Sequence, residues 1–332
     1  MQNIRVLPST AGQSLYAVVP SGCKDGDGST CAEARGGLFS PQNSTTWNDQ
    51  EFFELGFQKN LNYSGNGNLG FESVGLGYDS SGGPTLPDQV VAGIQTKQFF
   101  VGMFGLGPQP TNFSSFESSK PSFMSTLKSK KIIPSLSWAY TAGAPYRLKK
   151  VLGSLILGGQ DTSRYIANSL SFSFAPDTSR ELVVGLQSIS ATDGAGKETP
   201  LLPKGVLSFV DSTVPHIWLP TEACRRFEQI LGLTYDETSH LYLVNDALHD
   251  RLMASNYSFS FQLGNTRSDG PSINITLPYA AFDLTASPPL VAQTSRYFPI
   301  KRAANDTQYT LGRTFLQEAY GTQRSLRSPY RY

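Results

Sequence analysis

Val206-Leu207-Ser208-Phe209-Val210-Asp211-Ser212-Thr213-Val214-Pro215-His216-Ile217-Trp218-Leu219-Pro220 sets one carboxylate at the join of two apolar runs. The five residues before Asp211 read as a buried strand, and those after Pro215 read as a second one. A carboxylate at the tip of a buried strand is costly, because burial without a partner penalises its charged form. Two readings stand: a functional carboxylate with hydrogen-bond donors built around it, or a strand-end turn Asp. The same pattern of apolar strand, small hydroxylated turn and apolar strand occurs once in the other half, around Ser9.

The chain has 332 residues, 39% hydrophobic and 16% charged, so it is not disordered and has the length of about two domains. Its 27 basic and 26 acidic side chains leave a net charge of +1 with no block of like charge. A general nucleic-acid binder or a binder of anionic membranes needs more positive charge than that, so neither partner is expected. No apolar run approaches the roughly 18 residues of a membrane span. Met1-Gln2-Asn3-Ile4-Arg5 lacks the apolar core of a signal peptide, which read literally means cytosolic. Six glycosylation sequons argue the other way, at Asn43, Asn62, Asn112, Asn256, Asn274 and Asn305. Roughly three would arise by chance, so exposure to the secretory pathway is expected.

Short alternating apolar runs between scattered Gly and Pro make the class mainly β; 170–174 and 257–261 are the clearest strands. Others are expected at 136–140, 155–157, 182–189, 206–210 and 273–277. Helices are expected at 122–132, at 222–231 with Thr221 capping the start and Gly232 at the stop, after Asn245 through Met253, and after Gly312. The polar stretch 175–180 and the Gly-rich loop 191–197 suggest two lobes dividing near 175. Cys23 and Cys31 bracket a Gly/Asp loop at a spacing suited to a small disulfide-closed loop, which leaves Cys224 over. Cys224 lies at helical spacing from Phe227 and Leu231 and reads as a buried thiol. Gly65, Gly67 and Gly70 fit a dinucleotide spacing, but Phe71-Glu72-Ser73-Val74 reads as strand where a helix is required, so they mark a hairpin. No Gly-x-Ser-x-Gly, phosphate loop or His-Glu-x-x-His occurs, and no metal or cofactor is expected.

Phe209-Val210-Asp211-Ser212-Thr213 resembles the second active-site turn of the pepsin-like aspartic peptidases, and other segments then fall into order. Met103-Phe104-Gly105 resembles the hydrophobic-hydrophobic-Gly partner of the first lobe, and Leu311-Gly312-Arg313-Thr314-Phe315-Leu316 that of the second. Residues 155–165 resemble the stretch near the lobe junction. Cys23 to Cys31, followed by Phe39-Ser40-Pro41 and Ser44-Thr45-Thr46-Trp47, is similar to the disulfide loop after the first active-site strand. The resemblance covers roughly residues 4 to 320. It implies a bilobed fold of two β-barrel-like lobes with a cleft between, at 1–175 and 176–320, and a monomer that takes a peptide or protein in that cleft. The closest likeness is to fungal, glycosylated, secreted or surface-anchored members. Residues 321–332 read as a polar tail that does not match, so the fold is expected to be incomplete at both ends.

Aligned on the same frame, Ser9-Thr10-Ala11 stands where the family has Asp-Thr-Gly. The resemblance implies two carboxylates sharing one proton, one activating a water and the other polarising the scissile carbonyl. Ser9 supplies no acid near neutrality, which leaves Asp211 as the remaining carboxylate. Thr10 and Ser212 keep the hydroxyls that bond across the lobes in the family, while Ala11 and Thr213 replace its glycines. The hairpin 60–70 is the expected flap, with Tyr63 as its aromatic. The expected protein is a pseudopeptidase with a peptide cleft. The alternatives are an active endopeptidase working at acid pH, and an interaction or inhibitor protein on the same fold.

Overall fold

The computed structural model describes residues 2–78, 80–112, 119–147, 151–177, 179–288 and 290–324. They form two compact units, one of residues 2–138, 156–160 and 322–324, the other of 139–155 and 161–321. Strands dominate both, as the alternating runs predict.

In the first unit β1 (Val6–Ser9), β2 (Leu15–Val18), β3 (Asn48–Glu54), β4 (Asn66–Gly75), β5 (Thr85–Ile94) and β6 (Gly102–Gly105) form one sheet in the order β1-β6-β2-β5-β4-β3. Although β1 and β2 are consecutive, β6 lies between them, parallel to β1 and antiparallel to β2. Side chains alternate along β2, so Ala17 packs with Val19, Phe39 and Val91 on one face, and Val18 packs with Ala92, Ile94, Phe99 and Met103 on the other. Among the described residues two α-helices complete the unit, α1 (Cys31–Ala34) and α2 (Phe123–Ser129). The Ser122 hydroxyl caps α2 by accepting from Ser125 N. Cys23 and Cys31 are joined in a disulfide.

β7 (Ser137–Thr141) and β8 (Ser154–Leu157) cross the divisions between units along the chain. The second unit then carries β9 (Val183–Thr192), β10 (Glu198–Pro200), β11 (Val206–Val210), β12 (Ile217–Pro220), β13 (Thr234–Asp236), β14 (Leu241–Val244), β15 (Ser258–Gly264), β16 (Ser272–Pro278), β17 (Leu284–Ala286), β18 (Ser295–Phe298), β19 (Ile300–Ala303) and β20 (Thr310–Leu311). Its main sheet runs β16-β15-β9-β11-β20-β12-β19, with β10 paired to β9; a smaller one runs β13-β14-β18-β17. Here β20 lies between β11 and β12, parallel to the first and antiparallel to the second. The arrangement around β6 is thus repeated. α3 (Thr221–Leu231) and α4 (Asp246–Ser255) pack on this unit, and Phe227 of α3 joins Phe259, Phe282 and Phe298 in a fully buried aromatic core. The rings of Phe282 and Phe298 stack at 4.7 Å. α3 stops at Gly232, whose φ of 72° closes the helix.

Three expectations differ from the structure. Residues 170–174 belong to no strand, although Phe172 and Phe174 are half-buried and Ser171 and Ser173 exposed. Their alternation reports a buried face; it does not supply a ladder partner, and Ser171 O accepts instead from the Asn265 side chain at 2.9 Å. The segment after Gly312 makes only a single 3-10 turn, Phe315–Gln317. The units do not divide near 175, since 161–321 lies in one unit, within which Ala175 N donates to Glu181 O and 193–197 turns between β9 and β10. Both polar segments are turns inside one unit. Of the tail, Gly321–Arg324 is a strand, β21, and 325–332 lie outside the described residues.

Arg35, at the end of α1, is fully buried and is the main polar tie of the first unit. Its guanidinium donates to the carbonyls of Gly22, Gln95, Thr96, Phe99 and Phe100 at 2.6–3.2 Å. Removing it leaves five carbonyls, those of Gly22 and Phe99 buried, without a charged donor. Arg35→Met is expected to lower the unfolding free energy by about 3–5 kcal/mol in urea titration. A loss under about 1 kcal/mol would show the carbonyls to be satisfied by other means.

Candidate functional site

The first turn begins where β1 ends. Ser9 is opposite Gly105 in the β1–β6 register and is 1% exposed. Its carbonyl accepts from Leu106 N at 2.9 Å, and its hydroxyl accepts from Gly12 N at 2.9 Å. Gly105 N donates to Ser14 O and Gly107 N to Gly12 O, which tie the far arm of the turn to the same strand. A methyl group on Gly105 would lie 2.6 Å from Gln13 C and from Ser14 N, so only glycine lets β6 pass this close. Thr10 is also buried.

The second turn is built alike. Asp211 follows β11, is 4% exposed, and gives its backbone N–H to Leu311 O at 3.1 Å. Its carboxylate accepts from Thr213 N at 2.8 Å, a bond that favours the charged form. Ser212 and Thr213 are buried beside it. Gly312 has even less room than Gly105, since a methyl group there would meet His216 O at 2.3 Å and Val214 O at 2.4 Å. The structure thus groups Ser9, Thr10, Ala11 and Gly105 in one turn, and Asp211, Ser212, Thr213 and Gly312 in another. Neither Ala11 nor Thr213 is among the residues with positive φ, so replacing glycine there puts no side chain in the left-handed region.

Two arginines that the sequence reading passed over belong to the second turn. Arg313 Nη1 donates to both Ser212 O and Thr213 O, each at 2.7 Å. The guanidinium of Arg180 lies 3.3 Å over the Phe209 ring, bonds to Thr307 O, and feels the charge of Asp211. Arg313 had a signal, its place directly after Gly312 in the partner segment. Arg180 had none, because it falls in the polar stretch that suggested a boundary.

Tyr63 is half-buried against Phe99, with ring centroids 5.4 Å apart, in the connection between β3 and β4. Tyr16 ties that connection to β2 by donating to Leu55 O. Cys224 is a buried free thiol that donates to Lys301 O at 3.5 Å, and burial pushes its pKa up to about 12. It is no nucleophile. The six sequon asparagines are all exposed. No group of three or more His, Cys, Asp or Glu among the described residues could hold a metal ion.

Two half-sites built on interleaved strands, one ending in a buried carboxylate, define the class of an aspartyl-protease fold. The sequence model described as "Eukaryotic aspartyl protease" matches residues 6–324, and the chain belongs to that family. The match reaches into β21, beyond the limit near 320 expected from the sequence. Among solved structures, the crystal structure of aspartic proteinase from Irpex lacteus is similar, with a TM-score of 0.61 and 17% identity over 96% of this chain and 86% of that one. At that identity the likeness carries the fold. No curated protein matches.

His216 lies five residues beyond Asp211, edge-on to Tyr297 at 5.8 Å. Burial first, then the charges of Lys301 and Arg313, push its pKa down to about 3 from 6.5. The unfolded chain therefore binds a proton that the folded chain refuses between about pH 6.5 and 3, and stability falls as pH drops through that window. In His216→Asn the difference in thermal midpoint between pH 7 and about pH 4 is expected to be smaller than in the wild type. An equal or larger difference would show that His216 is protonated in the folded state.

Proposed function

We propose that this family member binds peptides or unfolded protein segments in the cleft that membership implies, and that its hydrolysis is impaired. The observation that carries the reading is the first turn. Where the family places a carboxylate, the chain has Ser9, whose hydroxyl already accepts from Gly12 N. The acids that follow in the sequence, Asp25 and Asp27, are in the disulfide loop, and Asp27 pairs with Lys97. A neutral hydroxyl cannot share a proton with Asp211 near its carboxylate pKa, so water activation and carbonyl polarisation no longer divide between two groups. Loss of one member of such a unit commonly costs about a thousandfold or more in rate.

A second reading keeps activity: Asp211 alone serves as base toward a water held at Ser9. The intact Asp211 turn favours it. Turnover of a broad peptide library between about pH 3 and 7 separates the two, measured on the chain and on Asp211→Ala. The expected result is no turnover above that of Asp211→Ala, with binding of a statine-type peptide retained. Turnover that Asp211→Ala abolishes would establish a one-carboxylate peptidase, and absence of both turnover and binding would overturn the cleft reading.

We further propose that the protein passes through the secretory pathway, as a secreted or cell-surface glycoprotein. The exposure of all six sequon asparagines supports it, because a carrier of N-glycans must present each acceptor to solvent. Expression in a eukaryotic secretory host followed by peptide N-glycosidase is expected to lower the apparent mass by more than one glycan. An unchanged mass would refute the proposal.

A further inference from the structure

We propose that Arg313 is a positioning residue of the candidate site: it locks the turn that carries Asp211 and, with Arg180, supplies the positive charge against which a buried carboxylate stays ionised. The inference rests on the reading of Asp211 as the site carboxylate.

The geometry is specific. One nitrogen of the Arg313 side chain bonds the carbonyls of both residues that follow Asp211, at 2.7 Å each. Its backbone N–H donates to Val214 O at 2.8 Å, and Thr314 adds bonds from its N–H and hydroxyl to Pro215 O. Residues 212–215 are therefore gripped one after another by residues 313 and 314. The carbonyls of Ser212 and Thr213 cannot swing inward while that nitrogen holds them. This in turn holds Thr213 N in place on the Asp211 carboxylate.

The charge arrangement points the same way. A carboxylate 4% exposed, without positive charge nearby, would take up a proton well above the usual range. From the segment before β9 comes Arg180, which also feels Asp177 and Asp306. From the segment after β20 comes Arg313. On the strand side of its own turn, His216 is uncharged over the range of interest. Arg180 brings the charge that Asp211 feels, and Arg313 holds the two carbonyls that follow it, so the two guanidinium groups act on one turn.

The test follows the carboxyl carbon of Asp211 by NMR in full chain labelled at the aspartate carboxyl, assigned by its loss in Asp211→Asn. It compares the wild type with Arg313→Met and Arg313→Lys. In Arg313→Met the midpoint of Asp211 is expected to rise by about one pH unit or more, and in Arg313→Lys, which keeps the charge, to stay near the wild type. Exchange of the Thr213 amide with solvent reads the lock itself and is expected to quicken about tenfold or more in both variants. An unchanged midpoint in folded Arg313→Met would overturn the proposal. Should that variant not fold, unchanged amide exchange in Arg313→Lys would overturn it. Neither readout uses a ligand, so a wild-type chain that binds no statine-type peptide would sink the cleft reading and leave this result standing.

Discussion

Each half of this protein depends on a place where two stretches of backbone come closer than any side chain allows. Gly105 and Gly312 sit where a third strand passes between the two arms of a turn. Because β6 is parallel to β1 and antiparallel to β2, it can bond the end of one arm and the start of the other, and the turn between them has no freedom to open. The same holds for β20 between β11 and β12. A methyl group at either glycine would push the strand out of that slot and release the residue at the tip, Ser9 in one case and Asp211 in the other. The position of the chemistry is thus a consequence of backbone sterics, and the rest of each sheet extends from it.

The two tips differ in charge although their frames match. The first carries hydroxyls and small residues, with its serine bonded to its own turn. The second carries a buried carboxylate whose charge Arg180 feels and whose following carbonyls Arg313 holds, while His216 nearby is kept neutral by burial and by the positive charges of Lys301 and Arg313. A buried carboxylate and a nearby guanidinium offset each other's desolvation at the second tip, whereas the buried Arg35 of the first unit is satisfied by carbonyls alone.

Much of this was legible in the chain. Val206–Val210 before Asp211 signalled a strand ending in a carboxylate, while Met103-Phe104-Gly105 and Leu311-Gly312 were placed by their resemblance to the family's partner segments. The stop at Gly232 works because a helix end is decided within one turn of backbone, whereas Thr221, expected as the cap of α3, is its first residue and makes no capping bond. What stayed hidden depends on distant partners. The alternation at 170–174 says which side chains face inward but cannot say whether another strand lies alongside. The side-chain hydrogen bonds of Arg180 and Arg313 span a hundred residues or more, and an arginine in a polar segment looks the same whether it is solvated or folded against Phe209.

The substitution at the first tip also explains how the frame and the chemistry can part. A buried carboxylate at Ser9 would need donors and a compensating charge; a hydroxyl there needs one partner, and Gly12 N provides it. The strand register, the Gly105 slot and the bonds of Leu106 and Gly107 are all made by backbone atoms, so none of them depends on which side chain occupies the tip. A serine at this tip therefore costs the fold little, whereas a proton shared between two acids, the basis of the proposed impairment, depends on the side chain alone. A family frame can persist on that basis whatever side chain occupies the tip, and membership by itself fixes the architecture of such a chain more firmly than its activity.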